Sequence, residues 1–439
     1  MQNKKLKWKS DFEKSVIIEN FVNRGWIKSQ EKEEESTDWN VYWATVWNVR
    51  NIFNPKNGFR LNDQQIINHF PNHYELTRKD CMVKNLKRFK REQDKEVLET
   101  FNFDFLPTTY IFPGEYSLFV EEFHRNPNQT WIVKPAARSQ GKGIFLLRKI
   151  QQLKKISGTA VTSNMTQLNL ASKENYVVSR YIDNPLLIGG KKFDLRMYVL
   201  VTNYKPLKVW IYNKGFGRFC NEQYTTDVAE IENMFVHLTN KHGGKYSIDA
   251  LKLYVESAYG TDALQRMMDD IHNIMLTSLK SVQAVIQNDK HCFEMYGYDI
   301  LLDSNLKPWL IEINASPSLT TTTPVDKNLK MNLINDVYNI VLPNDDFPDN
   351  DQKCNYLCYV FQNNNPPRQE DSLFYMMKVQ IPITGKHKKG RVLKYGNELP
   401  INIQYFFLLK FVYCINVLQI KNTKQENSSN VEHKNKQSY

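Results

Sequence analysis

The stretch 296–323, YGYDILLDSNLKPWLIEINASPSLTTTT, limits the fold more than any other part of the chain. It reads as two strands, 297–302 and 309–313, joined by a tight turn over 303–308 and followed by a Ser/Pro/Thr-rich loop. Side chains alternate between faces along a strand, so Glu312 and Asn314 share one face. Asp299 on the partner strand can bring a third oxygen there. Two carboxylates and an amide among Ile300, Leu301, Leu310 and Ile311 are costly to bury unpaired. A hard cation would satisfy all three, and Mg²⁺, held by a few oxygens and by substrate phosphates, is the natural candidate. The same spacing also fits an ordinary hairpin, with Glu312 solvated and Asn314 shaping the turn before Ser316-Pro317. The rest of the chain has to decide.

Upstream, Thr130-Trp131-Ile132-Val133-Lys134-Pro135 reads as a strand with a cationic tip at Lys134. A Gly-containing loop and a second strand (144–147) follow. Lys142 sits between Gly141 and Gly143, where backbone N–H groups can approach phosphate oxygens closely. The spacing is not that of a Walker A loop, and Gly-Lys-Gly alone also occurs in surface turns. The apolar run 176–182 ends at Asp183-Asn184-Pro185. Residues 192–201 alternate with period two, which puts Lys192, Asp194 and Arg196 on one strand face. That is more charge than a bland core strand carries. Residues 208–212 form another strand, and Gly215-Phe216-Gly217-Arg218 reads as a turn presenting Arg218. Residues 235–240 run straight into Lys241-His242-Gly243-Gly244-Lys245. The segment 262–288 has apolar residues at helical spacing and reads as a core helix without chemistry.

Nearer the N-terminus, 38–43 alternates like an edge strand. His69 and His73 flank Pro71, which excludes a helical metal pair and leaves them structural roles. Residues 76–91 read as a helix capped by Thr77. Leu76, Met82, Val83, Leu86 and Phe89 form its apolar stripe. Arg78, Lys79, Lys84, Lys87, Arg88, Lys90 and Arg91 form the other face, which is either solvated or a docking surface.

The aromatic fraction of 13% and hydrophobic fraction of 41% fit a folded chain. A length of 439 residues allows two or three domains. The net charge of +11 points to an acidic partner, whether nucleic acid, anionic membrane or protein surface. Cys81, Cys220, Cys292, Cys354, Cys358 and Cys414 are scattered without the second pair or His cluster of a zinc site, as in a reducing compartment. The N-terminal segment lacks an apolar core for a secretory signal. The late apolar run 405–420, broken by Lys410, Asn416 and Gln419, is too short and polar for a membrane span. Residues 346–439 are expected to be a poorly ordered tail without readable chemistry.

A lysine at a strand end, a Gly-Lys-Gly loop, a hinge strand, a Lys/Asp/Arg strand and a final Asp…Glu-x-Asn set occur in this order. That suits an α/β enzyme holding ATP between two sheets. The segments HFPNHYELTRKDCMVKN, WIVKP, QGKGIFL, NPLLIGGKKFDLRMYVLV, FVHLTN, CFEMYGYDILLD and KPWLIEINASPSL, spread over about residues 5–345, resemble the tubulin tyrosine ligase-like family in its polyglutamylase branch. The resemblance implies an ATP-grasp fold with an N-terminal domain (1–75), a central domain (76–180) and a C-terminal domain carrying the Mg²⁺/ATP site (181–345).

The implied activity is a tubulin–glutamate ligase, which adds glutamate to glutamate side chains of tubulin tails through an acylphosphate. By the same resemblance Lys134, Gln140, Gly141, Ser179, Arg180, Tyr181, Ile182, Lys192, Phe193, Asp194, Thr239 and Asn240 would bind ATP. Arg196, Lys142 and Glu312 would be catalytic. Arg218, Lys245 and Lys330 would hold glutamate, and Asp299, Glu312 and Asn314 would hold Mg²⁺. The family uses no covalent enzyme intermediate, and the sequence offers no evident Ser/His or Cys/His nucleophile pair. The implied partners are tubulin and microtubules, free glutamate and further subunits of a polyglutamylase complex, with neither nucleic acid nor a membrane span. The implied location is the cytoplasm and cytoskeleton, at the cilium or basal body.

One departure stands out. Family members carry a longer stretch between the HLTN and GGK motifs, where it helps to line the amino-acid pocket. This chain is therefore expected to bind ATP yet ligate poorly. The rival readings are a catalytically impaired microtubule-binding or scaffolding subunit, and a family ligase with glycine or tyrosine as donor. Arg218 favours glutamate, since a cation there pairs with the extra carboxylate.

Overall fold

The computed structural model describes residues 5–30, 38–93, 103–155, 175–227, 230, 233–239, 244–347 and 374–376. Within them the chain is mixed α/β, built on three sheets. The N-terminal sheet has the order β2-β1-β3-β4, formed by β1 (Lys7–Ser10), β2 (Ile27–Lys28), β3 (Val41–Trp43) and β4 (Ile66–Ile67), all parallel. β3 is an inner strand with all three residues buried, not the edge its alternation suggests, because β1 and β4 flank it.

A four-stranded sheet of order β5-β8-β6-β7 comprises β5 (Thr109–Phe112), β6 (Trp131–Pro135), β7 (Phe145–Leu147) and β8 (Tyr176–Arg180). The largest sheet runs β12-β11-β10-β13-β14. It contains β9 (Leu187–Ile188), β10 (Lys191–Tyr204), β11 (Leu207–Phe219), β12 (Lys245–Ser247), β13 (Glu294–Leu302), β14 (Pro308–Asn314) and β15 (Phe374–Met376). β15 falls in the segment expected to be a tail and pairs antiparallel with β11. The rest of 348–439, including the apolar run 405–420, lies outside the described residues, as do 157–173 and 240–243. Among the described residues no helix is long and apolar enough to cross a membrane.

β10 shows how the sheet divides two cores. Leu195, Met197, Val199 and Val201 enter one apolar cluster with Met267, Ile271, Ile274, Met275 and Val282 of a long helix (Thr261–Gln283). Tyr198 and Leu200, on the opposite face, join Trp8, Phe21, Trp26, Leu333 and Tyr338. The helices behind that second cluster are α1 (Ser15–Asn23) and the C-terminal helix Pro324–Val341.

The long helix is predicted to reach 288 but ends at Gln283. Asn72 accounts for this: its Nδ2 donates to Val285 O at 2.8 Å and its Oδ1 accepts from Gln287 N at 2.8 Å, drawing the backbone off the helical path. The predicted helix over 76–91 is two pieces, Tyr74–Thr77 and Lys79–Glu92. Arg78 between them is extended, and Thr77 donates back to His73 O at 3.2 Å, so it caps nothing. The expected turn at 215–218 is instead the end of β11. A Cβ on Gly215 would lie 2.4 Å from Arg196 O, so glycine here serves close strand approach at a register shift, not reversal.

Candidate active site

The charged face of β10 opens into a cleft of about 340 Å³ between the four-stranded and seven-stranded sheets. Alternation brings Lys192, Asp194 and Arg196 to its floor, as the sequence predicts, and turns Phe193 the other way. Phe193 stacks on Phe219 at 4.9 Å within the core, so its side chain contributes packing, not a cleft contact.

Strand register then assembles the charges. Asp194 lies opposite Arg218 of β11, Arg196 opposite Asp299 of β13, and Asp299 opposite Glu312 of β14. Ile311 is the extra residue of a bulge between the pairs Asp299–Glu312 and Ile300–Leu310. Gly297 faces Asn314, and a Cβ there would lie 2.9 Å from Pro317 and 3.3 Å from Arg196 Cδ, so the bare backbone lets this wall close.

Arg196 donates to Asp299 through Nε (2.5 Å) and Nη2 (3.0 Å). Arg218 donates to Asp194 through Nε (2.7 Å) and Nη2 (2.5 Å), and its Nη2 lies 2.7 Å from Asp299 Oδ2. Burial alone would raise the Asp299 carboxyl, but the two guanidiniums outweigh it and hold Asp299 well below the usual carboxylate range. Thr239 donates to Asp194 Oδ2 at 2.6 Å. Asn314 Nδ2 faces Gly297 O at 3.3 Å and Glu312 Oε1 at 3.4 Å. The carboxylates and the amide thus share one face, an all-oxygen donor set suited to a hard cation. Both Asp299 oxygens are meanwhile held by arginine, and among the described residues no group of three or more His, Cys, Asp or Glu stands ready for a metal.

Two lysines approach from opposite sides. Burial pushes Lys134, at the tip of β6, down to about 8 against the pull of Glu312. Burial likewise pushes Lys192 down to about 8. Lys192 Nζ donates to Tyr181 Oη at 2.8 Å, and Tyr181 Oη meets His237 Nδ1 at 2.9 Å. Ser179, Arg180 and Ile182 line the same end, beside a small apolar cluster of Ile132, Leu146 and Tyr181. The Ser179 hydroxyl lies 2.9 Å from Thr109 Oγ1. Gln140 (φ 60), Gly141 (φ 72) and Gly143 (φ 75) fold the loop bearing Lys142 over the mouth.

Lys245 and Lys330 stand to one side of the cleft lining. Lys245 is opposite Arg218 in register. It contacts Asp326 at 2.9 Å, and Lys330 contacts the same carboxylate at 2.9 Å. Asn240 lies outside the described residues.

A model of the tubulin-tyrosine ligase family matches residues 59–350. The chain belongs to the tubulin-tyrosine ligase family. It is 64% identical over 374 residues to a Tetrahymena thermophila protein named probable alpha-tubulin polyglutamylase Ttll1, covering 80% of this chain and 89% of that relative. It is 44% identical over 355 residues to a Rattus norvegicus protein named probable tubulin polyglutamylase TTLL9, covering 72% of this chain and 75% of the relative. It is also 35% identical over 338 residues to the Homo sapiens tubulin polyglutamylase TTLL5, where the match covers 71% of this chain and 24% of the relative.

Several lining residues of this family member escape a reading of its sequence. Lys79 belongs, by pattern, to a solvated helix face. The structure buries it at the start of the second helical piece, with Nζ 3.0 Å from Arg138 O and 3.1 Å from Glu312 Oε2. His237 and Ser316 also line the cleft. No Ser/His pair is evident in sequence, yet Ser316 Oγ lies 3.3 Å from His69 Nε2 across 247 positions. Such a separation leaves no local signal.

Proposed function

We propose that this member of the tubulin-tyrosine ligase family is an ATP-dependent ligase that joins glutamate to glutamate side chains in the acidic tails of tubulin. Relatives 64% and 44% identical carry the names probable alpha-tubulin polyglutamylase Ttll1 and probable tubulin polyglutamylase TTLL9. The observation that carries the reading is the row of opposed charges Arg218, Asp194, Arg196, Asp299 and Glu312, lying across four adjacent strands beside two buried lysines.

A side-chain carboxylate is a poor electrophile. As co-substrate, ATP would transfer its γ-phosphoryl group to it, releasing ADP. The neutral α-amine of free glutamate would then attack the acyl carbon, with inorganic phosphate leaving and the amine losing a proton. Lys134 and Lys192 suit phosphate oxygens, with the Lys142 loop above them. The apolar end around Ser179, Arg180, Tyr181 and Ile182 suits a base. Arg196 would face the phosphoryl group undergoing transfer and stabilise charge that develops there, while the cleft walls would supply positioning. Asp299, Glu312 and Asn314 would supply the oxygens for Mg²⁺, which when bound would neutralise phosphate charge and would compete with Arg196 and Arg218 for Asp299. Arg218, Lys245 and Lys330 would hold the donor amino acid, and a cation such as Arg218 beside it favours glutamate, with its extra carboxylate, over glycine or tyrosine.

The two sheets around this cleft are compatible with an ATP-grasp arrangement of N-terminal (1–75), central (76–180) and C-terminal (181–345) domains. The work of such an enzyme lies on the microtubule cytoskeleton, and we extend it to the cilium or basal body and to a complex with other subunits. Mass spectrometry of tubulin tails after incubation with ATP, Mg²⁺ and one amino acid at a time tests the reading. Glutamate-dependent mass gain is expected, and no gain with any amino acid would overturn it.

A further inference from the structure

Ser316 is an exposed residue on the cleft wall, and the ligase reading leaves its hydroxyl unused. Behind it runs a buried chain of polar groups. His69 Nε2 lies 3.3 Å from Ser316 Oγ, and His69 Nδ1 lies 2.6 Å from Glu294 Oε1. Those last two side chains are 2% and 0% exposed. The other Glu294 oxygen accepts from Phe70 N at 2.9 Å.

An ionised carboxylate only accepts, so the His69 nitrogen that faces it carries the proton. In the neutral ring Nε2 is then an acceptor, and it takes the single O–H of Ser316. The serine lone pairs are left toward the cleft, which makes Ser316 an acceptor for an N–H donor.

The same loop organises the cations. Further along it, Thr320 O accepts from Lys330 at 2.7 Å and Thr322 Oγ1 accepts from Lys245 at 3.3 Å. An amino acid presents carboxylate and ammonium together; Lys245 and Lys330, which share Asp326 and pack on this loop, are cations for the first, and Ser316 is an acceptor for the second. We propose that Ser316 receives the amino group of the incoming amino acid, and that His69 and Glu294 are positioning residues fixing its hydroxyl. The inference rests on the ligase reading and adds to it the group that orients the attacking amine.

Calorimetry on the full chain, with Mg²⁺ and a non-hydrolysable ATP analogue, tests it with two probes: L-glutamate, and glutarate, which keeps both carboxylates and lacks the amine. Ser316→Ala should weaken glutamate binding roughly 10- to 100-fold, the range for a hydrogen bond to a charged donor, and leave glutarate unchanged. Ser316→Thr, which keeps the hydroxyl, should restore most of the loss. His69→Gln should weaken glutamate selectively and by less, with affinity for the ATP analogue showing that the cleft is intact. If Ser316→Ala changes neither probe, or weakens both equally, the assignment is overturned while the ligase reading stands. A wild-type chain that binds neither probe overturns both.

Discussion

Replacing Arg218 by alanine probes the charge row at its most connected point. Its guanidinium holds Asp194 at 2.7 and 2.5 Å and Asp299 at 2.7 Å. The arginine side chain is 17% exposed and the two aspartates 7% and 3%, so water can take over little of its role. Arg196 is already committed to Asp299 through two donors, which leaves Asp194 the hydroxyl of Thr239. Removing one partner of a buried ion pair costs about 3–5 kcal/mol, roughly two to four orders of magnitude in the folding equilibrium. The pH dependence follows from Asp299, whose pKa in the folded chain is depressed. Its pairing stabilises the fold above the unfolded carboxylate pKa of about 3.8 and is lost as pH falls through the lower folded value. The deficit of Arg218→Ala should therefore be full at neutral pH and shrink below about pH 4. Urea unfolding of wild type, Arg218→Ala, Asp194→Asn and the double variant measures this. The double variant should lose clearly less than the two single losses added together. A loss under about 1 kcal/mol at neutral pH, with additive single variants, would refute the account of the row.

Glu312→Gln should abolish ligation with the fold intact, because the electrostatic contribution of a metal carboxylate is worth several kcal/mol in the transition state; near-wild-type turnover at saturating Mg²⁺ argues against the metal assignment. On the basic helix face, Lys87 pairs with Glu115 at 2.9 Å and Arg88 donates to Ser281 O at 3.0 Å, which leaves Lys84, Lys90 and Arg91 exposed. Reversing those three charges should raise KM for tubulin and flatten its salt dependence, and unchanged microtubule binding at low salt makes them a merely solvated face. Lys134 and Lys192, both near 8, should release the ATP analogue as pH rises through that value. Stability of the ligand-free chain should move the opposite way, rising between about pH 8 and 10.5 because the unfolded chain keeps protons the native one has lost; a flat affinity across that window contradicts the phosphate role. Inserting a family-like segment between Asn240 and Lys241 should raise glutamylation strongly, and full activity in the unaltered chain shows the segment to be dispensable.

The terminal hairpin was legible because its information is local. Period-two alternation fixes which side chains share a face, so Glu312 with Asn314, and Lys192 with Asp194 and Arg196, follow from neighbours in the chain. The same rule turns the Phe193 side chain away from that face, into the core beside Phe219. Glycine gave no such guidance at Gly215, since flexibility for a turn and room for close strand approach look identical in sequence. Lys79 carried only a helical position and a positive charge, which fit a solvated face; its burial against Glu312 depends on how that helix docks beside the Arg138 loop. Strand order likewise decided that Arg218 would neutralise Asp194 and Asp299 together. The sequence thus determined what each strand offers to its own two faces. The tertiary structure decided which charges meet across strands and that His69 would stand behind Ser316, because contacts between segments hundreds of residues apart are set by packing and register, which no local pattern records.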